Sequence, residues 1–282
     1  MLTYLEINKS AIAHNLRQIK QLVGPDVAVM AVIKSNAYGH GMVEVAKIAA
    51  KAGANWLGVI SDSEALALRQ AKIKAPIFIL SFWDQAELKN KIKKIYNCDF
   101  PVYSIEQAKF LSQLGQKIRK TINIHIKIDT GASRVGIRVD EAVAFIKKIK
   151  NLPRLNLCGI FTHYAASEDS DQTFTNQQTD KFARVIDTLE KQGVDIVWRH
   201  AACSAATMVN RQTLTERIGI NLYPGQSSRR PWFVLSHNNI AKLINTMITS
   251  NINRPVRANG RRAQVAIAHK IMYSNATRVK NR

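Results

Sequence analysis

Lys34 is the residue best placed to do chemistry. It closes a short apolar run, Ala28 to Ile33, and a polar turn follows: Ser35-Asn36-Ala37-Tyr38-Gly39-His40-Gly41. An apolar, β-branched run of this length reads as a buried strand, so the amine is delivered to a strand-to-helix turn. A lysine in that setting can form a Schiff base with a carbonyl compound. Burial also lowers its pKa, so that it can move protons. The same residue could equally be a strand-end lysine whose ammonium reaches solvent. Other polar residues fall at the ends of apolar runs: Asp129 to Arg134, His163, Ser204, and Arg217 with Gly219. Singly, each reads as a cap, a turn or a surface charge; together they suggest one shared rim.

The elements that must position them alternate along the chain. Asn8 or Ser10 can cap a first helix running to Val23. Strands are then predicted over 28–34, 56–60, 76–80, 100–103, 121–129, 155–162, 196–200 and 217–223. Helices are predicted between them over 42–53, 62–71 (capped by Asp62), 84–93, 104 onward (capped by Ser104), 140–150 and 174–191, with a short one from Ser204. Eight strands alternating with helices predict an α/β fold, a closed (β/α)8 TIM-type barrel, whose active residues sit at the C-terminal strand ends. A doubly wound open sheet is the alternative, but no GxGxxG fingerprint occurs at any turn.

Composition narrows the classes. The 282 residues carry a net charge of +21, which invites a nucleic-acid reading. Half of that excess lies in the last fifth of the chain. Residues 1–223 hold 30 Lys and Arg against 20 Asp and Glu, while residues 224–282 hold 11 and none. The three cysteines, Cys98, Cys158 and Cys203, show no metal-binding spacing and suit a reducing compartment. No secretory signal or membrane-length apolar run is visible, so a cytoplasmic protein without bound metal is expected.

Several separated motifs then carry a resemblance. They are Ala31-Val32-Ile33-Lys34-Ser35-Asn36-Ala37-Tyr38-Gly39-His40-Gly41, Lys127-Ile128-Asp129-Thr130-Gly131-Ala132-Ser133-Arg134-Val135-Gly136, Gly159-Ile160-Phe161-Thr162-His163-Tyr164, His200-Ala201-Ala202-Cys203-Ser204-Ala205 and Arg217-Ile218-Gly219-Ile220-Asn221-Leu222-Tyr223. In this order they resemble the barrel domain of the alanine racemases, fold-type III enzymes that use pyridoxal 5′-phosphate to interconvert L- and D-alanine for peptidoglycan. The resemblance implies that Lys34 carries the cofactor and acts as acid and base on one face of the substrate. It implies that Tyr38, Ser204 and the backbone N–H groups of Gly219 and Ile220 hold the phosphate. Arg217 would face the pyridine nitrogen, and His163 would support Arg217. Arg134 would bond the phenolic oxygen or the substrate carboxylate, steadied by Lys127, which is carbamylated in some members.

The resemblance ends near residue 223. In the family a C-terminal β-domain follows and supplies a tyrosine as second proton donor, across a homodimer interface. Residues 224–282 match none of it: acids vanish, arginine outnumbers lysine, and eight asparagines appear. The expected organisation is a pyridoxal-phosphate-binding barrel over 1–223 and a basic, poorly ordered tail over 224–282. We read the tail as out-of-frame continuation of a truncated gene. With the β-domain missing, weak racemisation is expected. Two rivals remain. One is a single-barrel pyridoxal-phosphate homeostasis protein, which lacks the β-domain by design but does not typically carry the Lys34 and Asp129 motifs. The other is a nucleic-acid-binding arm in the tail, where Ile240, Leu243, Ile244, Met247 and Ile248 could form an amphipathic helix. The tail lacks a recognisable nucleic-acid module and has few aromatics, so alanine is the expected partner, with neither nucleic acid nor membrane.

Overall fold

A computed structural model of the chain describes residues 3–209, 230–235 and 277–281, with side chains described over residues 7–207. The chain opens with strand β1 (Thr3–Ile7) and helix α1 (Lys9–Val23), then β2 (Ala28–Val32), a turn of helix α2 (Lys34–Tyr38), α3 (Met42–Lys51), β3 (Trp56–Ser61) and α4 (Asp62–Gln70). Next come β4 (Ile77–Phe82), α5 (Gln85–Ile95), β5 (Asp99–Val102), α6 (Ile105–Ile118), β6 (Ile122–Asp129), the short β7 (Ile137–Arg138) and α7 (Val139–Ile149). The described elements end with β8 (Leu155–Phe161), α8 (Thr173–Lys191), β9 (Trp198–His200), α9 (Ser204–Val209), β10 (Arg230–Leu235) and β11 (Thr277–Asn281).

Eight of these strands pair in parallel as a closed ring. The order is β2, β3, β4, β5, β6, β8, β9, β10 and back to β2. Closure leaves no sheet edge and puts all C-terminal strand ends at one rim. The strand expected over 217–223 lies outside the described residues; the place between β9 and β2 is taken by Arg230–Leu235. β1, which the sequence reading left unassigned, pairs antiparallel with β11 in a separate two-stranded sheet. The amphipathic helix expected over 240–248 also lies outside the described residues.

Strand alternation builds two apolar layers, because successive side chains point to opposite faces. Inside the ring, Ala28, Met30, Phe78 and Phe161 pack with Trp56, Leu80 and Trp198. Outside it, Val29, Ala31, Leu57, Ile77 and Ile79 meet the apolar stripes of the helices, among them Leu16, Val45, Leu68 and Leu88. Phe78 is fully buried, and a side chain of that size contributes roughly 2–3 kcal/mol on leaving water. β6 shows the alternation most clearly. Ile122, Ile124, Ile126 and Ile128 are all fully buried in the outer layer, and the residues between them are Asn123, His125, Lys127 and Asp129.

Caps start the helices where side-chain oxygens are available to orphan N–H groups. Asn8 accepts from the Ala11 N–H and Ser104 from the Gln107 N–H, as the sequence predicts. One cap differs by a residue. Ser61, not Asp62, caps α4 through the Glu64 N–H, while Asp62 is buried and pairs with Lys91 at 3.1 Å. The hydroxyl of the preceding strand residue reaches the helix end first, which frees the carboxylate to hold α5.

Candidate active site

Lys34 leaves β2 on a strained turn. Ser35, Asn36, Ala37 and Tyr38 are consecutive residues with φ of 51–55°, a run of left-handed backbone. Each such residue costs roughly 1–2 kcal/mol for an L side chain, so the surroundings must hold the turn. They do so with directed hydrogen bonds. The carboxylate of Glu64 accepts from the Ser35 N–H at 2.7 Å and from the Ile60 N–H at 2.8 Å, tying the turn to β3. The Asn36 side chain accepts from the Met42 N–H at 2.8 Å, and the Gly41 N–H donates to the Asn36 carbonyl. Gly39 and Gly41, at φ of 91° and 89°, take the chain out of the turn into α3. Ser35 is exposed, and a glycine there keeps the same backbone N–H bond to Glu64. Ser35→Gly is therefore expected to raise stability by about 1 kcal/mol by relieving the left-handed penalty, measured as a higher urea midpoint.

A second turn holds Arg134. The Asp129 carboxylate at the end of β6 accepts from the Gly131 N–H at 3.0 Å and the Ser133 N–H at 3.1 Å. Gly136 passes so close that a Cβ there would lie 2.8 Å from the Asp129 nitrogen, which accounts for a glycine at φ 141°. Asp129 therefore organises the turn that carries Arg134. Thr130 and Thr162 hydroxyls meet at 2.8 Å, and Gln178 of α8 bonds both Thr130 and the His163 carbonyl, locking the ends of β6 and β8 together.

These turns open on one cavity of about 250 Å³, lined by Lys34, Lys127, Arg134 and His163 together with Ser81, Phe161, Thr162, His200 and Cys203. No carboxylate is among its described lining residues, so the cations are not neutralised from within. Burial lowers the pKa of Lys34, with Arg134 adding to the effect and Glu64 opposing it. Lys127 is pushed down to about 8 by burial first, then by Arg134 and Lys34, against Asp129. Lys127 points into the barrel rather than out to solvent: its Nζ lies 5.5 Å from the Phe161 ring, and the residue is buried. His163 is held near 4 by burial, with Arg134, Lys127 and Lys34 contributing in that order. Its imidazole is thus neutral at the cavity wall.

The His163 shift has a testable sign. Unfolded histidine takes up its proton near 6.5, whereas folded His163 does so near 4. Stability therefore falls as pH drops from about 6.5 toward 4, because the unfolded chain binds the extra proton first. Denaturant midpoints measured across that window are expected to decline less steeply in His163→Asn than in the unsubstituted protein.

Of the other residues expected at the site, Tyr38 stands beside it, with its ring centroid 6.0 Å from the Lys34 Nζ. Ser204 is fully buried at the start of α9, next in sequence to the lining residue Cys203. Arg217, Gly219 and Ile220 lie outside the described residues.

Residues 7–227 match the family described as alanine racemase, N-terminal domain. The chain belongs to that family. Alanine racemase of Methanococcus maripaludis is 40% identical over 223 residues, covering 78% of this chain and 59% of the relative, and that of Desulforamulus reducens is 38% identical with 78% and 60% covered. Among solved structures, the alanine racemase of Clostridium difficile 630 superposes with a TM-score of 0.75 at 29% identity, covering 85% of this chain and 59% of that one. The Bacillus anthracis alanine racemase, solved with bound L-Ala-P, gives 0.72 at 29% identity, with 90% and 62% covered. The chain thus spans about three-fifths of the length of the curated alanine racemases it matches.

Within this alanine racemase barrel, the sequence reading gave no role to His200, Ser81 or Phe161, all of which line the cavity. His200 ends β9 at the rim, a position equivalent to the strand-end residues that were singled out. Phe161 lies inside the Gly159–Tyr164 motif but was given no role there, and Ser81 carries no motif signal, since a strand serine is ordinary until the ring closes.

Proposed function

We propose that this chain is an alanine racemase barrel that binds pyridoxal phosphate through Lys34 and exchanges the α-proton of alanine. The observation that carries it is the cavity at the strand ends, where Lys34, Lys127 and Arg134 converge with no acidic neighbour in the lining. That donor set fits a ligand bearing a phosphate and a carboxylate, and both of its amines have lowered pKa values. Bound there, pyridoxal phosphate supplies an electron sink that acidifies the α-proton of an amino acid.

The chain's own residues divide the remaining work. Lys34 Nζ would hold the cofactor and, once displaced by substrate, take or return a proton on one face. Arg134 suits the planar, two-point recognition of a carboxylate. Lys127, with its pKa near 8, is the buried amine that can react with carbon dioxide and become an anionic partner for Arg134. Tyr38, Ser204 and the N–H groups of Gly219 and Ile220 would bind the phosphate, and Arg217 the ring nitrogen, from their positions in the motifs. His163 stays neutral and can support Arg217 by a hydrogen bond rather than repel it.

Racemisation needs a proton donor on each face of the α-carbon. No tyrosine is among the described residues lining the cavity, so the phenol that the family places opposite the cofactor lysine is not among them. Turnover by this 282-residue chain is accordingly expected to be weak. The domain reading follows the same line: residues 1–223 carry the motifs of the cofactor-binding barrel, and Arg230–Leu235 supplies the strand that closes it between β9 and β2. Its three cysteines are free and buried, and no described helix is long and apolar enough to cross a membrane, which supports a cytoplasmic setting. The test is a titration of the purified chain with pyridoxal phosphate, followed by absorbance and by D-alanine formed from L-alanine. Saturable binding of one cofactor with little turnover is expected. Absence of saturable binding would refute the assignment, and turnover matching a full-length alanine racemase would refute the weak-activity part.

A further inference from the structure

Beneath the cavity, three buried polar side chains run in series down the inside of the barrel. His200 Nε2, at the end of β9, lies 2.9 Å from His125 Nδ1 in the middle of β6. His125 Nε2 lies 2.9 Å from Asp99 Oδ2 at the start of β5. All three residues are at most 2% exposed. Aromatic rings surround them: Phe78 stands 4.8 Å from the His125 ring, and Phe161 stacks on His200 at 4.8 Å.

The carboxylate decides which way the protons point. Asp99 Oδ1 accepts from the Asn123 amide at 3.0 Å, and Oδ2 accepts from the Cys158 thiol at 3.6 Å. The oxygen of Asn123 in turn accepts from the Asn156 amide at 2.9 Å. The Asn123 amide, and the Cys158 thiol when its single proton is not given to the Ile124 carbonyl at 3.5 Å, donate to Asp99, which suits an ionised, acceptor-only carboxylate. His125 must then donate from Nε2. With one proton on the ring, its Nδ1 is an acceptor, so His200 Nε2 must donate to it, and His200 Nδ1 carries no proton.

We propose that Asp99 and His125 are positioning residues that fix His200 in its Nε2–H form, so that the histidine on the cavity wall is a neutral ring with an unprotonated Nδ1. A fourth cation beside Lys34, Lys127 and Arg134 is thereby avoided. Burial, then the neighbouring His125 and Lys127, holds His200 well below the ordinary histidine range, in agreement with the geometry. Asp99 Oδ2, His125 Nε2 and Cys158 Sγ also lie within 4.8 Å of one another, close enough to hold a metal ion. An ion there would displace the Nε2 proton of His125. The benefit to the cavity rests on the cofactor reading above; the proton arrangement does not.

The test is a long-range proton–nitrogen spectrum of the full chain labelled with 15N-histidine, without added cofactor, with signals assigned by single histidine-to-glutamine variants. His125 and His200 are each expected to show a protonated Nε2 and an unprotonated Nδ1. In Asp99→Asn, the Asn123 amide captures the new carbonyl and turns the new amide nitrogen toward His125. Both rings are then expected to reverse, with their protons on Nδ1. Cys158→Ala, which removes a donor to the same carboxylate, is expected to leave both rings unchanged. An Nδ1 proton on either ring in the unsubstituted protein, a doubly protonated His125, a His125 Nε2 without its proton, or an Asp99→Asn spectrum with unchanged rings would each overturn the proposal. Should Asp99→Asn not fold, the spectrum of the unsubstituted protein decides alone. Failure to bind pyridoxal phosphate would leave this result untouched.

Discussion

Gly159→Ala is expected to destabilise the barrel by about 3 kcal/mol or more, the upper range for overpacking a tight core. A Cβ at this position would lie 2.3 Å from His125 Nδ1 and 2.5 Å from its Cε1. The obstacle is a fully buried ring, not the tip of a flexible chain. His125 cannot retreat, since Phe78 packs on it and both nitrogens are hydrogen-bonded to Asp99 and His200. Moving the ring would also leave buried polar atoms unpaired, which adds to the steric cost. Gly159 faces His125 directly in the β6–β8 register, where the pairing shifts by a residue. Gly193→Ala provides the contrast. Nothing lies within 4 Å of a Cβ there, and its φ of 70° carries only the left-handed penalty, roughly 1–2 kcal/mol. Urea unfolding of the two variants is expected to separate them clearly.

Lys34→Ala is expected to have the largest functional effect. Nucleophilic attachment and acid-base transfer on one face both fall on this amine, and each contributes factors of roughly a hundred or more. Its loss is expected to lower D-alanine formation by at least about a thousandfold relative to the unsubstituted chain. The absorbance of a lysine-bound pyridoxal should vanish with it. The fold should survive, because the Lys34 turn is held through backbone groups of Ser35, Ile60, Met42 and Gly41 rather than through the lysine side chain. A normal unfolding midpoint alongside lost absorbance separates chemistry from collapse.

Much of this site was legible in the sequence, for physical reasons visible in single residues. The rule that active groups sit at the C-terminal strand ends pointed to Lys34, Arg134 and His163, and the family resemblance added Lys127; all four line one cavity, and the closed ring of parallel strands explains why. The alternation of β6 was readable too, but its meaning was not. A row of Asn123, His125 and Lys127 between buried isoleucines could have been a solvated face. In a closed barrel that face is the interior, and its polar groups must find partners in one another. The partner Asp99 comes from β5 and His200 from β9, a contact between strands that no local pattern encodes.

The left-handed turn was equally hidden. Ser35, Asn36, Ala37 and Tyr38 include residues that ordinarily avoid positive φ, so propensity points to a right-handed turn. The bonds from Glu64, thirty residues onward, override it. Local preference likewise placed the α4 cap on Asp62, whereas Ser61 takes the cap and the Asp62 carboxylate bonds Lys91. The eighth strand was read from motif residues 217–223, which lie outside the described residues, and nothing in the tail marked Arg230–Leu235 as the segment that pairs with β2 and β9.

The most direct measurement is reductive trapping. The purified chain is saturated with pyridoxal phosphate, reduced with borohydride, digested, and the labelled lysine is located by mass spectrometry. Many of the chain's lysines are exposed, whereas Lys34 is half-buried just past the C-terminal end of β2, with its pKa lowered by burial and Arg134. The label is predicted on the peptide carrying Lys34, at close to one per chain. Label spread over surface lysines, or concentrated at Lys127, would contradict Lys34 as the cofactor amine.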